Sequence, residues 1–185
     1  INTDQFEIAY SPVLMGKLFS HHGFKGPGEI PAKRNYELKN CFRVAAKNQI
    51  KFIPPPIFPF NPLAIIRMAT LFANDNNLSQ QKKAIDTIFD LVWGEGAILE
   101  DPDLIKEEML KKNIPASVID NSFERGSKLE LKQNIKEALD SEIFGVPSFK
   151  VDDEFFWGHD SLPLLAQYLA GNDNWNKELY NKLLD

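Results

Sequence analysis

With a single cysteine in 185 residues, Cys41 has no internal partner. That excludes an internal disulfide, a CxxC redox pair within this chain and a zinc site built on several cysteines, and it fits a reducing, cytoplasmic setting. No apolar run approaches the roughly 18 residues of a membrane-spanning helix, and no basic-then-apolar leader opens the chain, so the sequence reads as soluble with no membrane partner. Charge of one sign is not in large excess. Lys and Arg number 21 against 26 Asp and Glu, a formal net charge of -5. The basic residues read as spread along helices, which leaves no electrostatic footprint for nucleic acid. Internal repeats and low-complexity tracts are also missing.

What is present is enough for one substantial core, since 43% of the residues are hydrophobic and the length suits a single domain. Phe6, Ile8 and Tyr10 alternate with Glu7 and Ala9, the period-two pattern of a strand over Gln5 to Tyr10, closed by Pro12. The chain begins at Ile1 almost directly on this pattern, and the expectation is that a segment upstream has been lost. His21 to Pro31 carries three glycines and two prolines and reads as a loop, with Pro31 opening a helix to about Asn48. The proline-rich stretch from Ile50 to Pro59 cannot be helix. Asn61-Pro62, Ser79, Asp101-Pro102, Pro115 and Ser127 or Lys128 each mark a helix start, the second helix carrying an apolar stripe of Ile85, Ile88, Phe89 and Val92 and ending at Trp93-Gly94. Roughly half of the chain is therefore a run of helices between two strand-bearing ends.

After Gly145 the period changes from helical to two. Ser148 to Val151 and Glu154 to Trp157 alternate on either side of Asp152-Asp153, which predicts a tight β-hairpin. Gly158 ends it. Asp160 or Ser161 then caps a last helix with Pro163 in its first turn and Leu164, Leu165, Tyr168 and Leu169 on its buried face. A proline directly before a hairpin strand is a place where a cis bond is useful. A cis Val146–Pro147 bond would turn the N–H and C=O of Val146 outward, able to pair with an extended, peptide-like ligand as an added strand does. Taken alone, Gly145-Val146-Pro147 reads rather as an ordinary trans proline at a strand start; with its neighbours counted the bond is expected to be cis.

Gly145-Val146-Pro147-Ser148-Phe149, the hairpin, and Phe156-Trp157-Gly158-His159-Asp160 before a terminal helix resemble the C-terminal end of the thioredoxin superfamily. The likeness is to the branch holding 2-hydroxychromene-2-carboxylate isomerases and kappa-class glutathione transferases, relatives of the DsbA oxidoreductases. It continues through Ser11 to Gly16, Pro31 to Tyr36, and Phe58-Pro59-Phe60-Asn61-Pro62-Leu63 with Arg67 after them. The resemblance implies an α/β, thioredoxin-like fold split by a large α-helical insertion: residues 1–57 as the N-terminal part of the thioredoxin-like domain, 58–142 as the insertion, and 143–185 as the C-terminal hairpin and helix. It also implies that the family's first strand-helix unit, whose Ser-Pro-Tyr-type turn supports the glutathione thiolate, lies outside this chain. These 185 residues alone are accordingly expected to have little activity.

By the same resemblance glutathione is the cofactor. Lys33 is matched to a lysine near its glycine carboxylate, the backbone beside Val146 and Pro147 to its peptide, and His159 with Asp160 to its γ-glutamyl end. Asn61 and Arg67 are expected to meet the carboxylate of an aromatic 2-oxo acid or its cyclic hemiketal. The implied activity is glutathione-dependent cis–trans isomerisation; a kappa-class-like transferase, a DsbA-like disulfide oxidoreductase and a non-catalytic binding protein are the alternatives, and a homodimer is one assembly the sequence leaves open. Two positions depart from the family pattern: Gly23-Phe24 replaces a Gly-Asn pair, and Ser161 replaces the arginine of Asp-Arg-Leu. Other candidates read more plainly. His21-His22 is expected to be solvated rather than a metal site, Cys41 a small core residue rather than a nucleophile, and Trp93 to Gly96 a helix C-cap. Met15, Phe19, Phe58 and Phe60 read either as an apolar substrate pocket or as core.

Overall fold

A computed structural model describes residues 6–73 and 78–184. Gln5, at the start of the expected first strand, and the side chain of Ser79 lie outside the described set. Nine helices are described: α1 (Met15–His22), α2 (Pro31–Lys47), α3 (Leu63–Ala73), α4 (Leu78–Phe89), α5 (Pro102–Lys111), α6 (Ala116–Ser122), α7 (Arg125–Asp140), α8 (Leu162–Leu169) and α9 (Lys177–Leu184). Two strands, β1 (Ser148–Val151) and β2 (Glu154–Trp157), pair antiparallel. The described residues divide into two compact units, 6–144 and 145–184.

The core of the first unit follows from helical spacing. Ile65, Met68 and Phe72 recur on one side of α3, Ala84, Ile88 and Leu91 on one side of α4 and its extension, and Ile105 and Met109 on α5. With Val92, Leu99, Ile114 and Ile119 they form one buried cluster, and α3 packs against α4, α6 and α7. Each fully buried large apolar side chain contributes about 1.5–3 kcal/mol. Of the expected stripe on the second helix Ile88 and Val92 are buried, whereas Phe89 is 60% exposed and Leu91 is fully buried in its place. Residues Asp90–Gly94 form a π-turn closed by the Glu95 N–H, which donates to Asp90 O at 2.8 Å, and the Ala97 N–H beyond it donates to Leu91 O at 2.9 Å.

Helix starts agree with their signals to within a few residues. Asp101 accepts from the N–H groups of Asp103 and Leu104 at 2.9 and 3.1 Å, and Asn61 Oδ1 accepts from Leu63 N–H at 3.1 Å. The second start differs, since α4 already contains Ser79. So does the fifth, where α7 begins at Arg125 and Ser127 is buried with its hydroxyl donating to Glu124 O. Two larger corrections concern the front of the chain. Residues 6–10 form no strand among the described residues, and Phe6 and Ile8 are 41% and 44% exposed; alternation specifies a face only when a neighbouring strand completes the ladder. Met15–His22, where no element was expected, is helix α1.

In the second unit the hairpin register is Ser148↔Trp157, Phe149↔Phe156, Lys150↔Phe155 and Val151↔Glu154. Asp152 takes the left-handed conformation, φ 53°, that a two-residue turn needs and that Asp tolerates. Phe156 packs on Tyr168 of α8 with ring centroids 5.6 Å apart. Leu165 is buried on that helix, whereas Leu164, also expected on the inner face, is 56% exposed. A further helix, α9, follows the one expected to be last.

Candidate functional site

The segment from Gly145 to Ser161 is built by interlocking two turns at the open end of the hairpin. Counting outward from Asp152-Asp153, the pair after Ser148↔Trp157 is Pro147 with Gly158, and the Gly158 N–H does donate to Pro147 O at 2.9 Å. Ser148 Oγ donates to Gly145 O at 2.7 Å and Ser161 Oγ to Gly158 O at 2.8 Å, closing each turn on itself. The Nε1 edge of the Trp157 indole approaches the Gly145 backbone closely: a Cβ there would stand 2.6 Å from Trp157 Nε1, so glycine is what admits the ring. Gly158 is needed twice over, by its φ of 84° and because a Cβ would overlap Asp160 Oδ1.

These contacts bring Val146, Pro147, His159 and Asp160 into one short stretch of the second unit. The Val146–Pro147 bond is cis, as expected. Val146 is 41% exposed, and among the described residues neither its N–H nor its C=O has a hydrogen-bond partner. His159 and Asp160 lie exposed in a short 3-10 turn ahead of α8. Asp160 does not cap that helix. Ser161 takes the cap position and makes no side-chain cap bond, so the Asp160 carboxylate rests against Gly158 with no donor of its own among the described residues. Acidic residues crowd the far turn of the hairpin. Desolvation raises the Tyr168 phenol above its ordinary range, and Asp152 and Glu154 push it further.

Lys33, Asn61 and Arg67 belong to the first unit. Lys33 sits in the first turn of α2, which holds no acidic residue, and it is exposed with no ion pair. A cation at that end opposes the helix macrodipole, so its placement does not serve the helix. Asn61 is engaged on both sides: its side-chain oxygen caps α3 and its N–H donates to Glu100 Oε1 at 2.6 Å. Arg67, on α3, has a buried Nε with no hydrogen-bond partner among the described residues. An orphaned donor of this kind costs about 1–3 kcal/mol until something accepts from it.

The remaining candidates fall into place by contact. Cys41 is exposed on α2 rather than in the core. A Cys beside Phe42 reads as a small apolar residue, but Phe42 is itself 51% exposed and only Ala45 is buried on this helix. Partial desolvation, then the Glu37 carboxylate one turn earlier, raises its thiol above the ordinary value. His22 Nε2 lies 3.3 Å from Ile143 O and its ring stacks on Phe24, with centroids 6.1 Å apart. Among the described residues no cluster of three or more His, Cys, Asp or Glu is gathered to hold a metal. The aromatic set divides in two: Phe19 packs on Phe24, while Phe58, Phe60 and Phe52 surround Trp93 at 6.0 to 6.2 Å. Sequence reasoning missed the Trp157–Gly145 contact, because the register sets Trp157 opposite Ser148 and nothing in the alternation marks its approach to Gly145.

Comparison with known proteins places these features in company. Residues 1–170 match the family described as DSBA-like thioredoxin domain. The chain is 26% identical over 172 residues to a 2-hydroxychromene-2-carboxylate isomerase from a Pseudomonas strain, covering 90% of this chain and 77% of that protein. It is 29% identical over 178 residues to one from Pseudomonas putida, covering 93% and 84%. Among solved structures it resembles SeMet 2-hydroxychromene-2-carboxylate isomerase with a TM-score of 0.78, over 91% of this chain and 83% of that one, at 20% identity. At that identity the likeness speaks for the fold: thioredoxin-like, α/β, with a helical insertion.

Proposed function

The chain belongs to the DSBA-like thioredoxin domain family, and from that premise we propose that it is a glutathione-dependent isomerase of the 2-hydroxychromene-2-carboxylate isomerase type. Relatives at 26% and 29% identity bear that name. The observation that carries the reading is the set of polar groups left without partners: the Val146 backbone, the Asp160 carboxylate, the Lys33 ammonium and the Arg67 Nε.

Their chemistry fits glutathione. An extended tripeptide offers a backbone N–H and C=O to an unpaired peptide group, the pairing used when a strand is added. Its γ-glutamyl ammonium suits Asp160 and its glycine carboxylate suits Lys33, both charge-assisted contacts. His159, next to Asp160, adds a ring donor or acceptor to the same end. When bound, glutathione supplies a thiol whose ionised form adds reversibly to a conjugated double bond and leaves again, dividing one difficult rotation into easier steps. Arg67 would hold a substrate carboxylate, which satisfies its orphaned Nε, and Asn61 still has its side-chain NH2 to donate. The exposed thiol of Cys41, raised in pKa, is not suited to act as nucleophile itself.

The protein should interconvert 2-hydroxychromene-2-carboxylate with its ring-opened isomer only when glutathione is added, and Arg67→Ala should raise the substrate KM by roughly tenfold or more, the loss of one charge-assisted bond. Turnover at the same rate without glutathione, or an unchanged KM in Arg67→Ala, would refute the assignment.

A further inference from the structure

The charges of this protein are sorted along the chain. Between Glu37 and Asp75 there is no acidic residue at all, and residues 11–70 hold nine cations (Lys17, Lys25, Lys33, Arg34, Lys39, Arg43, Lys47, Lys51, Arg67) against Glu29 and Glu37. That segment carries a net +7, so the rest of the chain, at an overall -5, carries -12. The expectation of evenly spread basic residues is therefore not met. The pairing pattern is sorted in the same way. Every described ion pair lies between Lys82 and Asp140, whereas none of the nine cations has one among the described residues.

On α2 the arrangement is tightest. Lys39, Arg43 and Lys47 stand at successive i,i+4 positions, all exposed, and Lys33 and Arg34 begin the same helix. Like charges at that spacing destabilise a helix by a few tenths of a kcal/mol per pair, and cations in its first turn oppose its dipole. Elsewhere in this protein the same spacing is used to pair opposite charges, in Lys82–Asp86, Glu107–Lys111 and Lys136–Asp140. Only Glu37 lies on α2 to offset the five cations. Glu29 is occupied by the Gly26 N–H at 2.7 Å. A helix so built is unfavourable by itself and positive in its surroundings.

We propose that the solvent face of α2 is an electrostatic collector for small carboxylate anions, raising the rate at which glutathione and the 2-oxo acid reach the protein against its overall negative charge. The proposal rests on the reading of the protein as an isomerase of two anionic ligands, and it adds a role for residues that touch neither. With a rise of 1.5 Å per residue, Lys39 is about 9 Å along the helix from Lys33, within one Debye length of roughly 10 Å at 0.1 M salt. Arg43 and Lys47 are farther, about 15 and 21 Å, and act at lower salt.

Cys41, the single thiol, stands exposed between Lys39 and Arg43 and reports the local potential without any physiological ligand. Its reaction with a dianionic aryl disulfide, divided by its reaction with a neutral pyridyl disulfide, cancels its own reactivity. Relative to free cysteine, this ratio should be roughly tenfold higher at 10 mM salt and fall toward unity at 1 M, the size expected for steering by a cluster of charges. In Lys39→Glu/Arg43→Glu/Lys47→Glu it should drop below unity. The same variant should lower kcat/KM for the 2-oxo acid at low salt with kcat unchanged. A wild-type ratio near unity, or one independent of salt, overturns the collector whether or not the protein binds glutathione. A raised ratio together with kcat/KM indifferent to salt overturns its role in capture while leaving the isomerase reading intact.

Discussion

The helices from α4 to α7 and the segment from Gly145 to Ser161 use their polar groups in opposite ways. In the first, each cation of the described ion pairs meets a carboxylate at 2.5 to 2.9 Å, and the apolar side chains beneath are fully buried. In the second, hydrogen bonds fix the turns yet leave the Val146 backbone and the Asp160 carboxylate without partners. The first is held by its core and is paired apart from Glu130 Oε2 on α7, a buried acceptor with no hydrogen-bond partner among the described residues; the other is held by a few turn bonds and two glycines. Exposed groups without a protein partner on an ordered frame are open to a ligand, which is what the proposed glutathione site requires.

The contrast is broken most severely from the core side. Leu91→Ala or Met68→Ala, each at a fully buried position, should lower the unfolding free energy by about 2–5 kcal/mol in denaturant titration, whereas Leu164→Ala, at 56% exposure, should change it by less than about 0.5 kcal/mol. Equal losses at the two kinds of site would remove the distinction. Gly145→Val comes next, since its side chain would drive against Trp157; a loss of about 1–3 kcal/mol, with altered Trp157 fluorescence, is expected from such overpacking. Gly126→Ala, on α7 with nothing within 4 Å of the added Cβ, should instead gain about 0.5–1 kcal/mol. Asp101→Ala removes a cap with two bonds to helix N–H groups and should cost about 1 kcal/mol. The smallest effect is on Cys41. Its thiol is raised by desolvation and by Glu37, so the thiolate is the disfavoured form and alkylation should set in at higher pH than for a free cysteine; Glu37→Gln should move the profile back down.

Much of this was legible in the sequence because it is local. A proline before a period-two stretch, a two-residue acidic turn and an Asp-Pro helix start each act within a few residues, and the hairpin, its register and the start of α5 followed. Phe6, Ile8 and Tyr10 show the limit: alternation is a local property, but a strand exists only through a distant partner. Phe89 shows a second limit: it continues the apolar spacing, yet it is exposed, because Ala84, Ile88, Leu91 and Val92 already make up the buried side. Cys41 was misplaced for a third reason. Its neighbour Phe42 looks like core, and only tertiary packing decides that α2 turns Ala45 inward instead. The site residues themselves were named by family resemblance, and what the structure adds is which of their polar groups are already engaged.

The central claim is that the unsatisfied groups are there for glutathione. Calorimetric titration of the protein with reduced glutathione should show a single-site heat, with Asp160→Ala and Lys33→Ala each weakening binding by on the order of 1–3 kcal/mol while thermal unfolding is unchanged. No heat of binding in the wild-type protein, or full affinity in both variants, would contradict it.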